Sequence, residues 1–127
     1  MISVSKKKLT NKTNATGASR LDSRSMPFRV AIEEQLENGY TFKDMTKDGL
    51  THLHRFLEET VGKKQSITDV EKRFKRKGDG ETIRRGNEEY EVIHLGKNGN
   101  RFRIFGYYSG TDFILLRIDQ NHSVHKV

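Results

Sequence analysis

Three runs of alternating apolar and polar residues dominate the C-terminal third of the chain. They cover residues 89–95, 101–108 and 112–118, are rich in β-branched and aromatic side chains, and are separated by Asn98-Gly99 and Ser109-Gly110. Alternation with a period of two is typical of strands with one buried face, and a glycine between two such runs can adopt the positive φ of a tight turn. The pattern predicts a three-stranded antiparallel meander.

Two upstream segments have the apolar spacing and the capping residues of helices. Residues 47–61 carry one apolar stripe and are bounded by Thr46, a plausible N-cap, and by Gly62, which can close the C-terminus; the stripe consists of Leu50, Leu53, Leu57 and Val61. The spacing Thr68-x-x-Glu71 matches a capping box. We therefore expect a helix over 47–61 and a shorter helix that starts at Thr68.

Residues 27–38 fit two patterns. Phe28, Ala31, Ile32 and Leu36 recur at three- and four-residue spacings, which favours a short helix that ends at Asn38-Gly39. Alternation at Phe28, Val30 and Ile32 also fits a strand over 27–32. We expect the helix, with the strand as its alternative.

These elements predict an α+β fold in which N-terminal helices pack on a C-terminal antiparallel sheet of three to four strands. Residues 81–85 would supply the fourth, edge strand after a turn at Gly78-Asp79-Gly80. Alternation in the middle strand predicts that Phe102, Ile104 and Tyr108 face the helices. The opposite face of this strand would then be open.

Composition places the chain among polar, single-domain proteins. It has 127 residues, 32% of them apolar, a mean hydropathy of -0.83 and no cysteine. The absence of cysteine excludes disulfides and thiolate chemistry. No apolar run approaches the roughly 20 residues of a membrane span, so we expect no membrane partner and a cytoplasmic location.

The net charge of +7 is unevenly distributed. Residues 1–26 contain six basic residues and one Asp, a net of +5, and have no sustained apolar period; we expect a disordered basic tail here and a single domain over 27–127. A second basic segment has five cations in six positions, namely Lys72, Arg73, Lys75, Arg76 and Lys77. This cluster predicts either contact with phosphate or an ordinary solvated face.

The open face of the sheet offers a candidate surface for RNA. Arg101 and Arg103 alternate with Phe105 and Tyr107, which would combine phosphate-pairing guanidinium groups with rings on which bases stack. The alternative is that the arginine stems merely pack over the rings.

The C-terminal segment offers candidate acid–base chemistry. His122 and His125 could act on a ribose 2′-hydroxyl and a leaving 5′-oxygen, and Lys126 could stabilise charge on the phosphorane. This mechanism needs no metal or other cofactor, and no third ligand at a recognisable spacing accompanies the two histidines. The alternative is a polar C-terminal end without a catalytic role.

The run Arg101-Phe102-Arg103-Ile104-Phe105-Gly106-Tyr107-Tyr108, a glycine turn, the run 113–118 and then Asn121-His122 resemble the C-terminal meander of RelE and HigB-type toxins. The resemblance implies a small basic α+β endoribonuclease that cuts mRNA and is neutralised by an acidic antitoxin-like protein. It implies roles in RNA cleavage for Arg101, Arg103, His122, His125, Lys126 and Tyr108. The chain departs from the family pattern in its polar N-terminal 26 residues and in its cluster at 72–77.

Two functional hypotheses follow. The first is a metal-independent endoribonuclease of this type, which binds the RNA backbone through residues 72–77. The second is a non-catalytic nucleic-acid-binding or protein-interaction module of a phage or mobile element.

Overall fold

The computed structural model describes residues 24–97 and 99–121. Within these ranges the elements, in chain order, are β1 (Arg29–Ala31), a short 3-10 helix (Phe42–Asp44), α1 (Lys47–Glu59), α2 (Ile67–Phe74), β2 (Lys75–Arg76), β3 (Thr82–Arg85), β4 (Glu88–Glu91), β5 (Ile93–Leu95), β6 (Arg103–Ser109) and β7 (Asp112–Asp119). The α+β class is confirmed.

The predicted meander is present as β5, β6 and β7, which are consecutive antiparallel neighbours. Two further strands extend it into a five-stranded sheet of order β1-β7-β6-β5-β2. β1 pairs in parallel with β7, and β2 pairs antiparallel with β5. The predicted three to four strands are therefore too few, because β2 has only two residues and shows no alternation, and because the pattern over 27–38 favoured a helix over the strand.

The first predicted strand, 89–95, is two strands in different sheets. β4 pairs with β3 in a separate two-stranded hairpin, while β5 enters the main sheet. Between them the Val92 amide donates to the Glu81 carbonyl at 2.9 Å, where the chain passes from one sheet to the other. The predicted strand at 81–85 is thus present as β3, but its partner is β4 and it does not join the meander.

The predicted helix over 27–38 is wrong, and the strand alternative over 27–32 is present as β1. In register with β7, Val30 pairs with Phe113 and Ala31 with Ile114. Pairing with a buried strand satisfies backbone groups that an isolated short helix would satisfy less well. It also places Phe28 in the main core, where it is buried.

Both remaining helices are confirmed, with one change of cap. α1 starts after Thr46, whose side chain accepts from the Gly49 amide at 3.0 Å, and Gly62 closes its end by donating to the Leu57 carbonyl at 2.8 Å. α2 starts two residues earlier than the Thr68 capping box predicts, because Ser66 is the N-cap and accepts from the Asp69 amide.

Thr68 is therefore not a cap. Its hydroxyl donates to the carbonyl of Arg24, and the Ile67 amide donates to the Met26 carbonyl at 3.0 Å. The ordered domain thus includes residues 24–26, which contact α2. The remainder of the predicted tail, residues 1–23, lies outside the described part of the chain.

The main sheet is covered on both faces. On the first face, α1 and α2 enclose the main core; its buried members include Phe28, Phe56, Val70, Phe74, Leu95, Phe102, Ile104 and Phe113, and Tyr108 packs against it. On the second face, the β3–β4 hairpin covers a smaller cluster formed by Val92, Phe105, Tyr107, Ile114 and Leu116. The predicted orientation of Phe102, Ile104 and Tyr108 is confirmed, whereas the predicted open face is wrong.

A β-bulge interrupts the pairing of β6 with β7. Phe105 pairs with Arg117. The next residue, Gly106, pairs with Leu115, which leaves Leu116 as an extra residue in β7. Leu116 packs into the cluster on the second face, and the Arg117 guanidinium lies 4.4 Å from the centre of the Phe105 ring. The bulge thus turns two consecutive side chains to the same face of the sheet.

Within residues 24–97 and 99–121, no helix combines the length and the apolar character that crossing a membrane would require.

Candidate nucleic-acid interface

Strand β2 is one edge of the main sheet and carries much of the basic cluster found in the sequence. Lys72 lies in the last turn of α2, Lys75 and Arg76 form β2, and Lys77 follows directly. The three lysines are exposed, and Arg76 is half-buried. The β5–β6 loop begins beside this strand, because the Gly96 amide donates to the Phe74 carbonyl at 2.8 Å.

Arg101 is exposed in this same loop. We refer to Lys72, Lys75, Arg76, Lys77 and Arg101 together as the basic edge. In the described part of the chain, Lys72, Lys75, Lys77 and Arg101 have no acidic side chain within 4.0 Å, in contrast to most arginines elsewhere on the surface. The positive charge of this edge is therefore available to an external anion.

Arg73, which the sequence placed in the same cluster, has a different environment. Its guanidinium donates to Glu59 at 3.1 Å and lies 4.7 Å from the centre of the Phe74 ring. Glu59 also pairs with Lys97 at 3.3 Å. Arg73 thus links α2 to α1, and its charge is partly neutralised within the fold.

Arg103 also has a structural role. Its Nη1 donates to the carbonyls of Phe102 at 2.8 Å and of Lys97 at 3.3 Å, which holds the β5–β6 loop closed. Burial lowers the pKa of Arg103, and the nearby positive charge of Arg76 lowers this pKa further. The two predicted phosphate-binding arginines therefore differ: Arg101 is exposed, whereas Arg103 is half-buried and engaged with backbone carbonyls.

The predicted stacking surface at Tyr107 is absent. Tyr107 is 3% exposed, because the β3–β4 hairpin covers it and the Tyr90 ring packs against it with ring centres 4.6 Å apart. Burial is the main reason that the pKa of Tyr107 is raised. Because neither Tyr107 nor Phe105 reaches solvent, this sheet face cannot stack on a nucleic-acid base.

Tyr108 projects to the helix side of the sheet, opposite to Arg103. Its ring packs against Phe113 with ring centres 5.4 Å apart. Burial raises the pKa of Tyr108, and the negative charge of Glu71 raises it further. The structure does not bring Tyr108 together with either predicted arginine, and its phenol is held in the neutral form at neutral pH.

The raised pKa of Tyr108 makes stability depend on pH in the alkaline range. The fold favours the neutral phenol, so this stabilisation is complete below the ordinary value of 10.0 and is lost as the pH rises toward the folded-state pKa. We expect the free energy of unfolding to fall less steeply above about pH 10 in Tyr108→Phe than in the wild type. Urea unfolding over this range measures the difference, and identical slopes would contradict the prediction.

The predicted catalytic residues His122, His125 and Lys126 lie outside the described residues. Their proposed acid–base role stays a prediction.

The structure brings together a polar group on the second face that the sequence did not indicate. The Arg117 side chain is 7% exposed and is held by Glu37 at 3.0 Å and Glu81 at 2.6 Å. On the same face of the sheet, on the other side of Phe105, His94 is 5% exposed, and its ring packs against that of Phe105 with ring centres 4.2 Å apart. Up to 80 sequence positions separate these groups, so no local spacing could have revealed them.

An apolar groove of about 620 Å³ runs between β1 and α1, near the sheet edge opposite to the basic edge. Three of its lining residues, Ile32, Phe42 and Val61, are large apolar side chains that stay exposed. The helical stripe in the sequence included Val61 as a core position, but this residue follows the end of α1 and borders the groove.

No protein-family model, curated protein or solved structure matches this chain.

Proposed function

We propose that this chain binds nucleic acid, RNA in particular, through the phosphate backbone along the basic edge. The observation that carries the proposal is the set of exposed cations at one end of the sheet, Lys72, Lys75, Lys77 and Arg101, which lack acidic partners among the described residues. Lysine and arginine side chains arranged along a strand edge can follow a line of phosphates.

The mode of binding follows from what covers the sheet. Phe105 and Tyr107 are buried under the hairpin, so stacking on them contributes nothing. Binding through phosphates alone is insensitive to base sequence and strongly sensitive to salt, because each neutralised phosphate releases counterions. We therefore expect little preference between RNA sequences of equal length.

Cleavage in the manner of RelE and HigB-type toxins is a further hypothesis, and it depends on His122, His125 and Lys126. In that case the basic edge would hold the substrate, and an acidic antitoxin-like partner would compete for the same cations by charge complementarity. The matching experiment is an RNA cleavage assay in EDTA, in which His122→Ala combined with His125→Ala should abolish cleavage and leave RNA affinity nearly unchanged.

The triple variant Lys72→Gln, Lys75→Gln, Lys77→Gln tests the basic edge. For single-stranded RNA, each phosphate contact contributes about 0.7 to the steepness of log affinity against log salt concentration. Loss of three contacts should therefore reduce this slope by roughly 2 units. Fluorescence anisotropy with a labelled oligouridine of about 20 nucleotides, repeated over a salt series, measures this slope.

The chain offers a control of identical charge. Lys43, Lys47 and Lys63 are exposed and lie outside the basic edge, and their replacement by Gln also lowers the net charge from +7 to +4 (7 − 3). This control should keep a slope close to that of the wild type. Equal losses in the two variants would show that net charge alone governs binding, and a wild type without affinity for RNA would exclude the proposal.

A further inference from the structure

The loop between β2 and β3 brings two carboxylates to a buried histidine. The three side chains are Asp79, Glu81 and His94. Each offers one ligand atom, and these three atoms all lie within 4.8 Å of one another. One imidazole nitrogen with two carboxylate oxygens is a donor set suited to divalent transition metals, Zn²⁺ in particular, whereas Ca²⁺ and Mg²⁺ prefer oxygen ligands alone. We propose that these three residues bind a Zn²⁺ ion.

Each of the three ligand side chains is positioned by a contact that is present without the metal. His94 lies in β5 between two hydrogen-bonded neighbours, with Arg76 opposite on β2 and Phe105 opposite on β6. Its ring packs on that of Phe105, which fixes the plane of the imidazole. A ligand held in a paired strand needs little ordering when the metal binds.

The carboxylates are arranged by the backbone and by Arg117. The Glu81 carbonyl accepts from Val92, and the Glu81 amide donates to Asp79 Oδ1 at 3.0 Å, which draws that side chain toward the site. Arg117 donates to Glu81 Oε1 at 2.6 Å, so Oε2 is the atom that this contact leaves for the metal. Partners of this kind, one shell beyond the ligands, orient carboxylates in metal sites.

The nearby guanidinium does not exclude a cation. Arg117 is also paired with Glu37 at 3.0 Å, so it retains a negative partner when Glu81 shares its charge with the metal. At Zn–ligand distances of about 2.0–2.2 Å, the ligand atoms must move to within about 3.5 Å of one another. Asp79 can make this movement, because it is exposed and lies between Gly78 and Gly80.

Three protein ligands leave one position of a tetrahedral ion for water or for an anion. Arg76, a member of the basic edge, is the cross-strand neighbour of His94. The zinc site therefore adjoins the proposed nucleic-acid interface, but it does not depend on that interface.

The experiment uses the full chain, stripped with EDTA and dialysed free of chelator, with no nucleic acid present. Titration with ZnCl₂ against a chromophoric chelator should give one Zn²⁺ per chain. Asp79→Asn should weaken binding at least ten-fold without unfolding the protein, because Asp79 is exposed. Saturating Zn²⁺ should raise the Tm of the wild type and leave that of Asp79→Asn nearly unchanged.

Two controls separate this site from other histidines. His54 has Glu58 at 3.7 Å on one exposed helix face, and His54→Gln should bind Zn²⁺ like the wild type. The variant His122→Ala with His125→Ala should also bind normally. The proposal fails if the wild type binds no stoichiometric Zn²⁺, if Asp79→Asn binds as tightly as the wild type, or if removal of His122 and His125 abolishes binding.

Discussion

Replacement of Phe113 with Ala should cost about 3–5 kcal/mol of unfolding free energy, which is a large fraction of the stability of an ordinary domain. Phe113 is fully buried near the start of β7 and packs on Phe28 and Tyr108, with ring centres 5.8 and 5.4 Å away. It also lies beneath Gly106, where an added Cβ would come within 2.6 Å of its ring. Close packing on all these sides leaves little room for the cavity to collapse.

Phe42→Ala is the matched control, since it removes the same side chain from a position that is 46% exposed. Its cost should stay below about 1 kcal/mol. Urea unfolding followed by circular dichroism measures both variants. If Phe113→Ala shows no cooperative unfolding transition while Phe42→Ala unfolds normally, the prediction holds. Similar urea midpoints for the two variants would contradict it.

Arg117→Met should lower the free energy of unfolding by about 2–3 kcal/mol. This loss is smaller than the roughly 3–5 kcal/mol expected when a fully buried pair is broken, because both carboxylate partners of Arg117 retain some contact with water. The substitution leaves Glu81 close to an apolar cluster without its cation and removes the guanidinium from the face of Phe105. The unfolding free energy at neutral pH measures this loss.

Arg85→Met is the control for an ion pair at the surface. Arg85 contacts both carboxylate oxygens of Glu34, at 2.7 and 2.6 Å, but it is substantially exposed. Exposed pairs contribute about 0–1 kcal/mol. Addition of Glu81→Gln to Arg117→Met should recover part of the lost stability, because a neutral amide replaces the unpaired charge; a further loss would contradict the role assigned to Arg117.

The parts of the fold that the sequence predicted are those with a repeated local signal. The stripe over 47–61 and the alternation over 101–108 and 112–118 each repeat over several turns or residues, and the structure has α1, β6 and β7 there. β1 and β2 have three and two residues, so partners distant in sequence determine their structure. β2 shows no period, and the alternation over 27–32 competed with a helical spacing in the same residues.

The functional surface was less predictable than the fold, for a physical reason. Alternation correctly assigned Phe105 and Tyr107 to the second face, but it carries no information on what covers that face. The β3–β4 hairpin, which the sequence suggested only as an extension of the meander, folds over these rings. Positive charge at 72–77 was visible in the sequence, whereas the convergence of Glu81, His94 and Arg117 required the sheet register.

The parallel pairing of β1 with β7 has a consequence for synthesis of the chain. Arg29 and Asp112, which are in register, are separated by 83 positions. β1 therefore cannot pair with β7 until nearly the whole domain has been synthesised and β7 has left the ribosome. The contact of Phe28, just before β1, with Phe113 cannot form earlier either. Until then the nascent chain exposes apolar surface, and completion of the core is a late step of folding.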